Sequence, residues 1–226
     1  SLEPRMDKSS PLSLSLDKTP HRIAEMFDAI AGHYDLLNRL LSAGLDQRWR
    51  ARAVDALGLN GGEVVLDLCT GTADLALALS TSGDVSIVGV DFAGEMLRRG
   101  HQKVHQAGLS RQVHLVRGDA MCVPMPGAAV DAATVGFGIR NVQTAADALR
   151  EINRVLRPGG RLAILEFGFP RSSFLRAAYG WYFNRGLPLI GRLVSRHQSA
   201  YSYLPASVRT FWEPHDFCQV LVAAGF

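Results

Sequence analysis

Cysteine is scarce in this sequence. Cys69, Cys122 and Cys218 are the only three in 226 residues, far apart and odd in number. No C-x-x-C pair occurs, so neither a disulfide framework nor a zinc or other metal site is expected, and a reducing compartment is. No uninterrupted apolar run reaches the roughly 18–20 residues that span a bilayer, and the first residues do not read as a secretory leader. The expected location is therefore cytoplasmic, with at most a peripheral contact at the inner face of a membrane. Basic excess is small, a net +3 with a pI near 8.9, and is spread along the chain with a lean towards residues 171–209. A nucleic-acid binder would concentrate that charge in one stripe, so nucleic acid is not an expected partner. Nothing repeats at a fixed period of about 20–50 residues, which excludes a solenoid. A hydrophobic fraction of 47% and a charged fraction of 20% are those of a globular chain long enough for one continuous core.

What is present divides into stretches. Residues 1–20, rich in Ser, Pro and Lys, read as a disordered lead or a tag, with order beginning near Pro20. Ile23, Phe27 and Ile30 share one helical face that Gly32 ends. Helices are expected over about 35–41 and 46–57, the second capped by Gly58. Val64–Leu68 then opens an alternation: strands over 85–90, 113–116, 130–135 and 162–167, helices over 94–107 and 145–156. Thr144 and Asp147 read as a capping pair, and Arg157-Pro158-Gly159-Gly160 as a sharp turn. This order calls for an α/β, doubly wound, mostly parallel sheet with helices on both faces. Residues 171–212 read as a helical, aromatic and basic insertion. An amphipathic helix over about 213–224 follows, with Phe217, Val220, Leu221 and Ala224 on its apolar face and Gly225 at its end. Residues 21–226 are thus expected to form one domain.

In such a sheet, ligands bind beyond the carboxyl ends of the strands. The loop after the first strand, Cys69-Thr70-Gly71-Thr72-Ala73-Asp74, has one glycine where a dinucleotide fingerprint has three. That disfavours NAD and FAD and suits an adenosyl ligand without phosphates, S-adenosyl-L-methionine. Gly71 lets the backbone approach it, and the N–H groups of the next helix point at it. Asp67 reads as a carboxylate for the cationic parts of the ligand or as a structural hydrogen-bond acceptor. Asp91 ends the second strand twenty positions after Gly71, where an acidic residue binds ribose hydroxyls or caps a helix. Asp119 and the N–H of Ala120 suit an adenine edge, and Gly136 the methionine end.

Several segments together resemble the UbiE/MenG-type ubiquinone/menaquinone biosynthesis C-methyltransferases. They are Met26-Phe27-Asp28-x-Ile30-Ala31-x-x-Tyr34-Asp35-x-x-Asn38, Leu66-Asp67-x-Cys69-x-Gly71-Thr72-Ala73-Asp74 and Asp91-Phe92-x-x-x-Met96-Leu97. The most specific is Gly136-Phe137-Gly138-Ile139-Arg140-Asn141-Val142. Arg154-Val155-x-Arg157-Pro158-Gly159-Gly160, Glu166-Phe167 and Tyr201-x-Tyr203-Leu204 follow it. The resemblance spans about residues 21 to 226. It implies a Rossmann-like class I methyltransferase fold, S-adenosyl-L-methionine as cofactor, and methylation of a ring carbon of a reduced polyprenyl quinone. The Asp67–Asp74 loop favours demethylmenaquinol over a ubiquinone precursor. The resemblance also implies that Tyr34, Thr72 and Phe92 join Asp67, Gly71, Asp91, Asp119, Ala120 and Gly136 at the cofactor, and that Arg140 and Asn141 sit at the quinol. One departure stands out: family members carry two more strands after Ala-Gly-Phe, whereas this sequence stops at Phe226. The strand over 162–167 would then be an exposed apolar edge, covered either by a longer chain or by a second copy in a homodimer.

Arg140, always charged and rich in donors, suits stabilisation of a developing phenolate, or alternatively a salt bridge from the fourth strand to the next helix. Asn141 suits orienting the quinol or a water. The base is a water held by these two, or His33 or His197. Residues 171–209 suit a lid over an isoprenoid and a basic surface for anionic lipids, against ordinary helical core. The rival readings are a methyltransferase of another small aromatic, a nicotinamide oxidoreductase and a non-catalytic quinone-binding scaffold.

Overall fold

The computed structural model describes residues 17–42, 44–168 and 198–226. Pro20 opens α1 (Pro20–Ile30) in its first turn, where a missing N–H breaks no helical bond. After α2 (Tyr34–Leu41) comes α3 (Leu45–Leu57), which Gly58 ends in the left-handed conformation that a residue without Cβ adopts freely (φ 55°). Five strands follow: β1 (Val64–Leu68), β2 (Ser86–Asp91), β3 (Val113–Arg117), β4 (Val130–Gly136) and β5 (Leu156–Leu165). They pair in parallel in the order β3-β2-β1-β4-β5. The crossovers are α4 (Asp74–Leu79), α5 (Gly94–Gln106) and α6 (Ala145–Val155); α7 (Gln198–Arg209) and α8 (Pro214–Ala223) come last. The chain builds outward from β1 to β3, then returns to the other side of β1 with β4. That reversal leaves a crevice above β1 and β4. Leu68 pairs with both Val90 and Val135, so the carboxyl ends of the three central strands are level at its floor.

Both faces of the sheet are covered, which is why β1 is apolar throughout except at Asp67. On one face Val65, Ile87, Val113 and Ala132 meet Leu57 of α3, Leu75 and Leu79 of α4 and Val104 of α5. On the other, Leu66, Leu68, Val90 and Val135 meet Leu149 and Ile152 of α6 and Phe217 of α8. Leu66, Leu149 and Ile152 are fully buried, and each such side chain is worth about 2–5 kcal/mol against alanine. The apolar face expected for the last helix is present: Phe217 and Ala224 are buried, and Val220 and Leu221 pack beside them.

The structure corrects three local expectations. Thr144 stands at the N-cap of α6, but its side chain makes no capping hydrogen bond, and Asp147 pairs instead with Arg150. Arg157–Gly160 is not a turn between elements. Val130 pairs with Leu156 and Ala132 with Arg161, so the segment bulges within β5 opposite Asp131, and the strand runs from 156 to 165 rather than from 162 to 167. Gly159 takes the left-handed conformation (φ 79°), and Arg157 is held to the Asp131 carboxylate. Asp17–Thr19, counted with the lead, belong to the described residues, with Lys18 half-buried between exposed Asp17 and Thr19. Residues 1–16 and 171–197, including His197 and most of the expected lid, lie outside the described residues. Among the described residues no helix is long and apolar enough to cross a membrane.

Candidate active site

The crevice is built from four loops at the carboxyl ends of the strands and closed by the first two helices. In the loop after β1, Cys69, Gly71 and Ala73 all have positive φ (57°, 56° and 66°). For Cys69 and Ala73 this conformation costs about 1–2 kcal/mol each, strain that the surrounding contacts hold in place. In the loop after β4, Phe137 is also left-handed (φ 59°), and Gly138 packs directly on Cys69. A Cβ at Gly138 would lie 2.3 Å from the Cβ of Cys69. The two loops therefore touch, backbone against side chain, in a way only glycine permits.

Asp91 ends β2 and joins two of these loops. Its Oδ2 accepts from Gly71 N–H (2.8 Å) and its Oδ1 from Ala93 N–H (2.9 Å). Burial pushes its carboxyl up, against the pull of those N–H donors. Two of roughly four lone-pair sites are used, so each oxygen keeps capacity for a further donor. After β3, Asp119 Oδ1 accepts from Met121 N–H (2.8 Å), and Ala120 is buried beside it. From above, Ile23 and Phe27 of α1 and Tyr34 of α2 close over the crevice, with Phe27 and Tyr34 in edge-to-face contact at 6.0 Å. Asp28 of α1 fixes this cover by accepting from Glu95 N–H at the start of α5 (2.8 Å).

The crevice is a pocket partly open to solvent. Tyr34, Gly71, Asp91, Phe92, Asp119, Ala120, Gly136 and Asn141 all line it. Three expected site residues do not. Asp67 lies beneath the loop at 1% exposure, with its oxygens taken by Thr70 Oγ1 (2.6 Å) and Thr134 Oγ1 (2.8 Å). It is the structural acceptor rather than a ligand contact, and burial raises its carboxyl to about 6 despite both hydroxyls. Thr72 points away from the cavity, donating to Asp35 Oδ1 (2.5 Å) and accepting from Lys103 Nζ (3.3 Å). Arg140 is buried behind the loop. Its Nη1 donates to Glu166 Oε2 (2.7 Å) and to the Phe137 carbonyl (2.5 Å). The ion pair thus ties the loop after β4 to the end of β5, not to the next helix.

His33 is exposed and lines no part of the cavity. Cys69 does line it, but burial and the neighbouring carboxylates push its thiol well up, so it is a neutral wall and not a nucleophile. Sequence reasoning missed Lys18, Phe27, Met96 and Phe137 as cavity residues. The 23/27/30 periodicity does reveal an apolar face. It does not say whether that face meets core or ligand.

Comparison with known proteins comes to the same region of protein space. The profile of the ubiE/COQ5 methyltransferase family matches residues 16–226. A ubiquinone/menaquinone biosynthesis C-methyltransferase of Geotalea uraniireducens is 42% identical over 213 residues, covering 93% of this chain and 90% of that one. A demethylmenaquinone methyltransferase of Thermus thermophilus is 46% identical over 202 residues, covering 89% and 91%. Among solved structures, the [4+2]-cyclase SpnF superposes with a TM-score of 0.68 at 23% identity, covering 92% and 73%. A Bacillus halodurans structure described as a putative methyltransferase gives 0.59 at 24%, covering 78% and 68%. These two likenesses establish the Rossmann-like fold.

Proposed function

This chain belongs to the ubiE/COQ5 methyltransferase family, and from that premise we propose that it methylates a ring carbon of demethylmenaquinol. The reaction class goes with the family: it is an S-adenosyl-L-methionine-dependent C-methyltransferase of quinone biosynthesis, of the menaquinone type. The observation that carries the residue assignments is the order of groups along the crevice. Acidic Asp119 and Asp91 lie above β3 and β2, bare backbone at Gly71 above β1, and Gly136, Phe137 and Asn141 above β4.

The residues present fit the cofactor. Asp91 keeps acceptor capacity on both oxygens for a ribose diol. Asp119 has an oxygen for an exocyclic amine beside the Ala120 N–H. Gly71 and Gly136 add no side chain to the floor, and Phe92 and Tyr34 supply apolar wall. When bound, the cofactor supplies an electrophilic methyl group, and the electron pair of the breaking carbon–sulfur bond stays on sulfur. Everything else falls to the protein. Ile23, Phe27 and Tyr34 cover part of the crevice with apolar surface. Asn141 turns its carboxamide to the acceptor hydroxyl. Arg140 acts from behind by holding the Phe137 carbonyl and hence the curve of the loop. Loss of the hydroxyl proton to water moves charge onto the ring carbon that forms the new bond; the ring proton then leaves to water and the phenolate oxygen regains one, so one proton is released for each methyl transferred. Asp67 and Thr72 act indirectly, by fixing the loop that carries Gly71.

A polyprenyl acceptor resides in a bilayer, so the protein meets it at the membrane surface; co-sedimentation with anionic liposomes at low and high salt tests that contact. The acceptor is tested by competition. Reduced short-tailed demethylmenaquinone and a ubiquinone precursor are supplied together with S-adenosyl-L-methionine and followed by mass spectrometry. A one-methyl gain on the naphthoquinol alone is expected. A gain on the benzoquinol alone would reverse the assignment.

A further inference from the structure

Among the described residues that line the cavity, Asp91 and Asp119 are acids and Lys18 is the one cation. Arg140, the cation expected there, is absent from the lining, and its charge is already met by Glu166 at 2.7 Å. A close buried ion pair presents little net charge to a third group. Lys18, by contrast, has neither a hydrogen bond nor an ion pair among the described residues. It reaches in, half-buried, from the turn just before α1. Burial and the Arg140 guanidinium hold its ammonium below the usual lysine value, and Glu166 opposes them. The charged and titratable groups that share its cavity or act on it are Arg140 after β4, Glu166 after β5, Tyr34 of α2, Cys69 after β1 and the two cavity carboxylates, with Tyr203 of α7 beside Arg140 and Glu166.

Asn141 lines the same cavity. Its Nδ2 donates to the Phe137 carbonyl (3.3 Å), which fixes the carboxamide and leaves Oδ1 buried with no partner. An ammonium only donates and an amide oxygen only accepts. An aromatic oxygen in the cavity would accept from the ammonium whether or not it carries its own proton. We infer that Lys18 is a further catalytic residue, its ammonium receiving the phenolic oxygen of the acceptor ring. This deepens the proposed acceptor reading and rests on it. As the hydroxyl ionises, its electron pair stays on oxygen and its proton passes to water. The ammonium then favours the oxyanion in a site of low polarity.

The test uses 4-nitro-1-naphthol, whose phenol and phenolate forms differ in absorbance, titrated against pH on the full chain with S-adenosylhomocysteine bound. Wild type, Lys18→Met and Lys18→Arg are compared. Lys18→Met is expected to bind the phenolate form about tenfold more weakly while binding the phenol form as before, and Lys18→Arg to restore most of the loss. Unchanged S-adenosylhomocysteine affinity in both variants shows that the fold is intact. Equal phenolate binding by wild type and Lys18→Met overturns the inference, as does a wild-type protein that binds neither form. Methyl transfer to demethylmenaquinol is scored separately on wild type. Its absence beside a Lys18-dependent phenolate site overturns the acceptor and supports the cation site. Its presence beside a Lys18-independent one overturns the cation site alone.

Discussion

Replacing Asp67 by asparagine removes a carboxylate buried within the sheet. Asp67 is 1% exposed and accepts from the hydroxyls of Thr70 (2.6 Å) and Thr134 (2.8 Å). Those donors favour the ionised form and burial opposes it. Burial wins, with nearby Asp91 adding to it, and the carboxyl moves from an ordinary 3.8 to about 6. Asp67 therefore holds its proton more tightly folded than unfolded. Its contribution to stability is fully present below about pH 4 and is lost as pH rises through about 6; above that, keeping the charge buried costs about 3 kcal/mol. A carboxamide in its place accepts from one threonine hydroxyl and donates to the other, which rotates to suit. Urea unfolding of wild type and Asp67→Asn is followed from about pH 4 to pH 8. Wild-type stability minus variant stability is expected to fall by about 2.5 kcal/mol across that range, most of it between pH 4 and 7. Parallel curves, or a gap that grows in favour of wild type with rising pH, would show that the two hydroxyls outweigh burial and refute the reasoning.

Gly138→Ala is expected to lose about 1–3 kcal/mol or more, because its methyl meets Cys69 Cβ at 2.3 Å. Cys69→Gly, which also relieves a positive φ, should recover most of that loss, and strictly additive urea-unfolding energies would contradict the contact. Arg140→Met leaves Glu166 buried and unpaired at a cost of about 3–5 kcal/mol, whereas Arg140→Met with Glu166→Leu should lose markedly less. An equal or larger loss in the double variant counts against the pair as described. Asp91→Asn is expected to weaken S-adenosylhomocysteine binding by about 10- to 100-fold in calorimetry, since a charge-assisted hydrogen bond is worth about 1.5–3 kcal/mol. Undiminished affinity would remove Asp91 from the cofactor site.

Periodicity reached most of the fold because the central strands are short apolar runs and the helices carry clear stripes. The Gly71–Asp91 spacing was equally readable, since both positions are fixed by strand ends that pair in register. What escaped was direction. Gly71 and Thr72 are neighbours in one tight loop, yet the first lines the cavity and the second turns to Asp35 and Lys103 on the far side. Asp67 alternates away from the crevice for the same reason that successive residues of any strand face opposite ways. The partner of Arg140 lies 26 positions on, at the end of another strand, and only the folded sheet brings Glu166 to it. A turn and a bulge draw on the same residues, so Arg157–Gly160 revealed a left-handed glycine but not the ladder resuming beyond it. Lys18 belongs to no periodic pattern, and its place in the cavity follows from where α1 lies over the crevice.

The central claim is that this crevice delivers a methyl group to a ring carbon. It is tested most directly by supplying S-adenosyl-L-methionine labelled with carbon-13 in its methyl group, together with reduced demethylmenaquinone, and recording the product by NMR. The account predicts a single labelled aryl-methyl signal bonded to ring carbon. A labelled methoxy signal, or no transfer by a protein that binds S-adenosylhomocysteine normally, would contradict it.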